Sequence, residues 1–277
     1  MKITCRQNFI IAVFFTALHT LPAPAQTEAS AETKQAPSAG ELAKLKQDPV
    51  SGLRQVVFQA NVNPDTPVSG KTQANYSLQP VWPISLNEDY KLITYTILPV
   101  IHQPTGAPDG SSITGMGDTL VNLFVAPKNP GALVWGVGPA IMLPTRSDPA
   151  LGSNRLGLGP AAVLFYAKNA WSAGVVLQNV WTQGGSGINK VNAMGAQYIL
   201  NYNLDNGWYI YSNATITSNW TADSHDRWTV PVGGGFGRVF NIGKQPVSAS
   251  AQAFYNVDTP TNGPKRTGIF QFAFLFP

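Results

Sequence analysis

The sequence predicts an all-β chain folded as a transmembrane antiparallel barrel of about twelve strands, with short turns at one end and longer loops at the other. Three observations carry that expectation. The first is alternation. Tyr76, Leu78, Pro80, Trp82, Ile84 and Leu86 alternate with Asn75, Ser77, Gln79, Val81, Pro83 and Ser85. After the polar turn Asn87-Glu88-Asp89, Ile93, Tyr95, Ile97, Pro99 and Ile101 alternate with Leu92, Thr94, Thr96, Leu98 and Val100. A period of two makes a strand with two unlike faces. The second is length. Each arm runs about a dozen residues, beyond the ~5–6 of an ordinary strand and enough for a tilted bilayer crossing of about 9–11. The third is scarcity of charge: 12% of the 277 residues are charged and 44% hydrophobic, where soluble domains carry about 25% charged residues. Lipid-facing positions do not hold charge. The mean hydropathy is nevertheless -0.03, as expected when each apolar position is matched by a polar one.

Residues 1–25 read as a signal peptide. Lys2 and Arg6 form a basic start, Phe9 to Leu18 an apolar core too short to span a bilayer, and Ala23-Pro24-Ala25 a cleavage site near Ala25. Cys5 would leave with it, so the mature chain holds no thiol, disulfide or cysteine metal ligand. Removal of Lys2 and Arg6 lowers the net charge from +4 to +2. With no basic cluster, nucleic acid is not an expected partner. Residues 26–50, rich in Ala, Glu, Lys and Gln, read as a flexible or weakly helical periplasmic leader.

The barrel is expected over 51–277. Strand candidates start near Leu53, Ala74, Tyr90, Asp118, Ala132, Leu156, Trp171, Ala193, Trp208, Trp228, Val247 and Thr267. Short connections carry turn formers such as Asn129-Pro130-Gly131 and Asp205-Asn206-Gly207. They alternate with long ones at Val62–Gln73, His102–Gly117, Pro144–Arg155, Gln183–Asn192, Thr221–Arg227 and Asp258–Arg266. That alternation fits short periplasmic turns and extracellular loops, with both termini periplasmic and the mature protein in the outer membrane. A soluble β-sandwich would not give the length, the alternation and the low charge together.

Trp82, Trp135, Trp171, Trp181, Trp208, Trp220 and Trp228 bunch at strand ends and read as two aromatic girdles. The alternation then assigns an inward face to Gln55, Gln59, Ser77, Gln79, Thr94, Thr96, Asn122, Gln178, Gln197, Asn201, Gln252 and Asn256, and leaves Ile97 and Leu123 on the lipid face. Gly136, Gly138, Gly157, Gly159 and Gly174 also point inward. Such a run of strand glycines implies either close approach of another segment or open space along one wall, and the expectation is that this wall lines a narrow passage for small molecules. The inward groups are neutral donors and acceptors without a ring of charge, so strong ion selectivity is not expected. They either line a path or hydrogen-bond one another and close the lumen.

Other chemistry is thin. Gly233-Gly234-Gly235-Phe236-Gly237 lacks the helix and the Lys-Ser/Thr of a phosphate loop and reads as a bent strand. Ser224, His225, Asp223 and Asp226 share one loop, whereas a triad needs geometry from separate elements. Asp109, Asp118, Asp148 and Asp258 are scattered. No cofactor, metal site or catalytic residue is expected.

QPVWPISLNEDYKLITYTILPVI, the Gly138-Pro139 and Gly159-Pro160 strands, NYNLDNGWY, and RWTVPVGGGFGRVFNIGKQPV followed by AQAFYNV resemble a bacterial outer-membrane family grouped with the MetA-pathway phenol-degradation proteins. The resemblance runs from about Glu41 to the end. It implies a β-barrel that passes small, in part aromatic, compounds, with outer-membrane lipid around it and the barrel assembly machinery as partner during biogenesis. It supplies no catalytic residue. Phe270, Phe272, Phe274 and Phe276 keep the alternation of a barrel's last strand, but Pro277 follows where such barrels commonly end in an aromatic residue. The function expected is passive passage of small neutral or weakly polar molecules. The alternatives are a structural or adhesive barrel with a closed lumen, and a barrel-borne lipid hydrolase using Ser224 and His225.

Overall fold

The computed structural model describes residues 37–64, 66, 67, 70–107, 110–182 and 190–277. The expected signal peptide and its cleavage site, the first part of the leader, Asp109 and most of the Gln183–Asn192 connection lie outside the described residues. A helix, α1 (Ala39–Gln47), precedes thirteen strands: β1 (Arg54–Asn63), β2 (Gln73–Ser85), β3 (Tyr90–Pro104), β4 (Ser112–Met116), β5 (Thr119–Pro127), β6 (Leu133–Leu143), β7 (Gly157–Lys168), β8 (Trp171–Thr182), β9 (Asn192–Asn203), β10 (Trp208–Asn219), β11 (Trp228–Ile242), β12 (Gln245–Asp258) and β13 (Arg266–Phe276). Successive barrel strands pair antiparallel, and β13 returns to β1 from Arg54↔Phe276 to Val62↔Gly268, which closes the wall. Twelve strands form this closed barrel. β4 pairs only with the far end of β3, from Val100↔Met116 to Pro104↔Ser112, before β5 takes over the rest of β3. The stretch expected as the His102–Gly117 loop is therefore a hairpin that carries the wall beyond the barrel's rim.

Directly paired residues of antiparallel strands share a face, so register fixes what points in and out. Phe58, Leu78, Trp135, Val137, Leu164, Leu177, Ile210, Phe236, Tyr255 and Phe270 are exposed on the outer surface. This apolar belt is the outward face of a transmembrane barrel. No helix among the described residues is long and apolar enough to cross a membrane.

The inward face of β3 corrects the sequence reading. Val81↔Tyr95, Trp82↔Thr94 and Thr94↔Leu123 put Thr94 on the same side as exposed Trp82, with Thr96 on that outer face too. Ile93, Tyr95 and Ile97 point inward instead. The physical reason is that this half of the barrel is filled. Val50, Val81, Ile93, Phe124, Ala126, Ala140, Ala161, Val163, Phe165, Val176, Val180 and Ile199 form a continuous buried cluster inside the wall. Apolar side chains gain by facing that core. The outward Thr94 hydroxyl is satisfied locally, donating to the Trp82 carbonyl at 3.2 Å.

The end of the leader is structured. Ser38 caps α1: its side chain accepts from the Glu41 N–H, while the Glu41 carboxylate accepts from the Ser38 N–H at 2.8 Å, a reciprocal capping box. These bonds hold the Glu41 carboxyl below its ordinary value. The helix lies inside the short-turn end of the barrel, where Leu42, Ala43 and Leu53 pack with Val57, Tyr209, Tyr211, Val239, Ala273 and Leu275. Burial of that face explains why a helix too short to be stable alone persists here.

Candidate solute path inside the barrel

The barrel interior has two unlike halves. One is the apolar cluster described above. It is completed by Val50, the residue that follows α1 into the lumen. A Cβ on Gly136 would sit 3.2 Å from Val50 Cγ1, 3.0 Å from Val163 and 3.2 Å from Phe124. A Cβ on Gly138 or Gly159 would strike the Leu123 or Asn179 carbonyl of the neighbouring strand. Gly157 and Gly174 are similarly crowded, by Val180 and Met142 and by the Leu164 carbonyl. The glycine wall is thus not open space. The glycines admit Val50 and close strand contacts, and any path must run elsewhere.

The other half, from β8 through β13 to β2, is lined by carboxamides. At the long-loop end a cavity of about 390 Å³ is bounded by Gln59, Asn61, Asn63, Gln73, Asn75, Gln103, Gln197, Asn213, Asn256 and Gln271, with Phe254 and Ile269 beside them. Halfway down, a second of about 210 Å³ shares Gln59, Asn61, Asn75, Gln197 and Thr215 with the first and adds Ser77, Gln79, Tyr95, Ile97, Val176, Gln178 and Gly195. Below it a third, about 100 Å³, shares Gln79, Tyr95 and Gln197 with the second and reaches Gln55, Asn201, Tyr209, Tyr211 and the helix residues Lys46 and Gln47. Apart from Lys46, no charged side chain lines any of the three. The amides are ordered by one another. Gln271 donates to Gln59 (2.6 Å) and Gln59 to Asn61 (2.8 Å); Tyr95 donates to Gln79 (2.8 Å) and Gln79 to Ser77 (2.8 Å); Gln197 donates to Asn213 (2.8 Å).

Of the residues assigned inward from sequence, Gln59, Ser77, Gln79, Gln178 and Gln197 line the middle cavity, Gln55 and Asn201 the lowest, and Asn256 the outermost. Asn122 is buried on the apolar side, paired with Tyr95. Thr94 and Thr96 are outside. Sequence reasoning missed Asn61, Asn75, Tyr95, Asn213, Thr215 and Gln271. For Asn61, Asn75, Thr215 and Gln271 the signal was available: each sits two residues from an assigned inward position or in register with one.

Two features border these cavities. The first is α1. Gln47 donates to Asn203 Oδ1 (2.8 Å) and accepts from Ser172 Oγ (2.9 Å) and Asn203 Nδ2 (3.1 Å), which ties the helix end to β8 and β9. Asp48 follows, half-buried, accepting from the Val50 N–H at 2.9 Å. Burial pushes its carboxyl above the ordinary value, against the pull of that bond and of Lys91. The second is a seam in the wall. The β10–β11 ladder runs from Trp208↔Arg238 to Tyr211↔Gly235 and resumes only at Thr217↔Thr229. Side chains stitch the gap. Gln252 reaches across β11 to accept from the Asn213 N–H (2.9 Å) and donate to its carbonyl (3.3 Å). Ser212 donates to the Gly233 carbonyl (2.6 Å) and Tyr198 to that of Pro231 (3.3 Å). Phe254 packs against Ala214 there, with Tyr198 beside them.

The tryptophans lie outside the path. Trp82, Trp135, Trp171 and Trp208 stand near the short-turn end, with Arg54 over Trp82 and Arg238 over Trp208 at 5.5 and 5.2 Å. Trp181, Trp220 and Trp228 stand near the long-loop end, the last two in edge contact at 5.4 Å. Ser224, His225 and Asp226 share one 3-10 turn. His225 faces Asp226 at 3.4 Å, but Asp226 Oδ1 is taken by the Thr261 N–H and hydroxyl, both at 2.7 Å, which hold its carboxyl below the ordinary value. The arrangement joins two loops; among the described residues no hydrogen bond links Ser224 to His225. Asp118 likewise gathers a loop, accepting from Arg146, Ser153 and Asn154 backbone N–H groups and the Ser153 hydroxyl. No group of three or more potential metal ligands occurs among the described residues.

The fold is that of known outer-membrane barrels. An outer membrane channel from Pseudomonas putida F1 superposes with a TM-score of 0.60 at 16% identity, over 91% of this chain and 100% of that one. Outer membrane phospholipase A from Escherichia coli gives 0.43 at 14% identity, over 80% and 96%. The calcium-bound outer membrane phospholipase dimer of Salmonella typhi gives 0.44 at 14%, over 87% and 99%. No curated protein matches the sequence. Residues 57–274 match the family described as putative MetA-pathway of phenol degradation, and the chain belongs to that family.

Proposed function

We propose that this protein sits in the outer membrane and gives small neutral molecules a path across it. The observation that carries the reading is the amide-lined series of cavities that begins at the long-loop end and is stopped at the other by α1, whose Lys46 is the one charged group in their lining. A lumen without a ring of charge does not select strongly for ions. Its amides replace the hydrogen bonds that a neutral polar solute loses on leaving water. The family's link to phenol degradation supports small oxygenated compounds as the cargo. A barrel of about 8 strands is filled by its own side chains and one of 16–18 holds a water channel. Twelve strands with one half filled leave a narrow route.

The test is solute entry into liposomes carrying the mature protein. Neutral molecules the size of phenol or glycerol should enter faster than into empty liposomes, and benzoate should lag behind phenol. Equal entry into protein-bearing and empty liposomes would end the proposal in favour of a closed structural barrel.

The seam favours a second exit, sideways between β10 and β11 into the membrane. There the wall is held by three side chains rather than by a continuous ladder. Cysteines at Ala214→Cys and Val232→Cys, bridged by a short cross-linker, should then slow passage of apolar solutes such as toluene. Unchanged toluene passage after bridging would exclude the sideways exit.

A further inference from the structure

We propose that the middle cavity is a binding subsite for a small neutral ring bearing two or more hydroxyl groups; the proposal rests on the passage reading above. Size comes first. About 210 Å³ is the share of about seven waters at ~30 Å³ each, below the ~300–1,000 Å³ of sites for drug-sized ligands. A single ring fits within it.

Hydrogen-bonding capacity comes second. β1 and β2 set Asn61 opposite Asn75 and Gln59 opposite Ser77, a polar patch on the inner face. Two polarised chains run into it. Tyr95 gives its proton to Gln79 and Gln79 to Ser77. Gln271 donates to Gln59 and Gln59 to Asn61. Each chain ends on a group whose own hydrogens meet no acceptor among the described residues: the Ser77 hydroxyl and the Asn61 amide. Beside them Asn75 Oδ1 is buried without a donor. A buried polar atom left unpaired costs free energy that a matching ligand restores. The patch therefore offers donors at Ser77, Asn61 and Asn75 and an acceptor at Asn75 Oδ1. A vicinal diol complements it, its oxygens accepting from Ser77 and Asn61 and one of its hydroxyls donating to Asn75.

The opposite wall sets the rest. Val176, Gly195 and Ile97 give it an apolar centre against which a ring face can lie. A Cβ on Gly195 would meet Gln178 at 3.3 Å and the Thr215 methyl at 3.4 Å, so the absence of a side chain there is what keeps the ring's place open. No charged side chain lines the cavity to pair a carboxylate. A bare hydrocarbon would leave all three polar groups unmet.

The experiment is calorimetric titration of the folded, detergent-solubilised mature protein with catechol, toluene and benzoate at neutral pH. Liposome entry of catechol is measured in parallel, and heat-modifiable migration reports folding of each variant. Catechol should bind at least tenfold more tightly than toluene or benzoate. Asn61→Leu should weaken catechol about tenfold, the worth of one ordinary hydrogen bond, without weakening toluene. Gly195→Leu should abolish binding of both by filling the ring's place, and it decides the matter if Asn61→Leu does not fold. Toluene or benzoate binding as tightly as catechol would overturn the subsite, as would catechol binding indifferent to the folded variants. If liposomes admit catechol while titration shows no such binding, the subsite fails and passage stands. If nothing enters yet titration gives the expected pattern, passage fails and the subsite remains as a ligand site in a closed barrel.

Discussion

At Thr94 and Thr96, polarity and facing part company. The alternation of β3 is plain in the sequence, but it does not say which phase faces lipid. The rule that sends polar residues inward holds where the lumen is wet, and β3 borders the filled half, where Ile93 and Phe124 are each 1% exposed. The facing follows from register, and it reverses a simple mutational expectation. Arginine at a lipid-facing midplane position costs roughly 2–4 kcal/mol, so Thr96→Arg should impair assembly. Ile97→Arg, which points into the middle cavity, should leave a heat-modifiable barrel with altered passage. Assembly yields compared in one host decide it, and a barrel lost with Ile97→Arg but kept with Thr96→Arg would restore the opposite phase. Asp118 is a second residue whose role needed coordinates. Scattered in sequence, it collects the 144–156 connection through backbone N–H groups at 2.6–3.3 Å. Asp118→Ala leaves them without that acceptor, a loss of about 1–3 kcal/mol for a buried group. The expected readout is new protease cleavage in that loop with the barrel intact.

Among the elements, the strands were legible because period, length and turn residues all point one way; β4 was not, and of α1 the sequence showed no more than a flexible or weakly helical leader. β4 hides in a polar stretch, since a rim hairpin needs no apolar face. The leader has too little apolar surface to announce a helix, and its stability comes from Leu42 and Ala43 meeting a surface that only the closed barrel creates. Its anchor is polar and specific, so Gln47→Leu should undock it by removing the bonds to Ser172 and Asn203. Protease sensitivity near residues 38–48 would rise while the strands stay folded. Asp48 adds a pH dependence. Its folded-state value is raised by burial, so docking is most favourable below its ordinary value of 3.8 and weakens as pH rises through the raised one. Asp48→Asn keeps the acceptor for Val50, removes the buried charge and should hold α1 in place at neutral pH more firmly than the wild type. A helix more protease-sensitive in Asp48→Asn would mean that attraction to Lys91 outweighs burial. At the seam, Gln252→Leu leaves the Asn213 N–H and carbonyl unpaired and should lower the barrel's melting temperature more than the same change at Gln197, whose partner is a side chain.

For the whole molecule, the barrel and its apolar belt follow from alternation and low charge, and most of the amide side of the lumen follows from the same period. What the one-dimensional pattern could not give is that the interior is divided. Whether Gly136 and its neighbours mark a void or a contact depends on Val50, which is far away in sequence and seated against Gly136 by closure of the barrel. The central claim is that the path on the amide side is real and that α1 is its stopper. The most direct measurement is entry of a small neutral solute into liposomes bearing either the wild-type mature protein or a variant lacking residues 38–48, both checked for heat-modifiable folding. Entry should be measurable for the wild type and rise several-fold when the helix is gone. Folded barrels that admit nothing above empty liposomes, with or without α1, would contradict it.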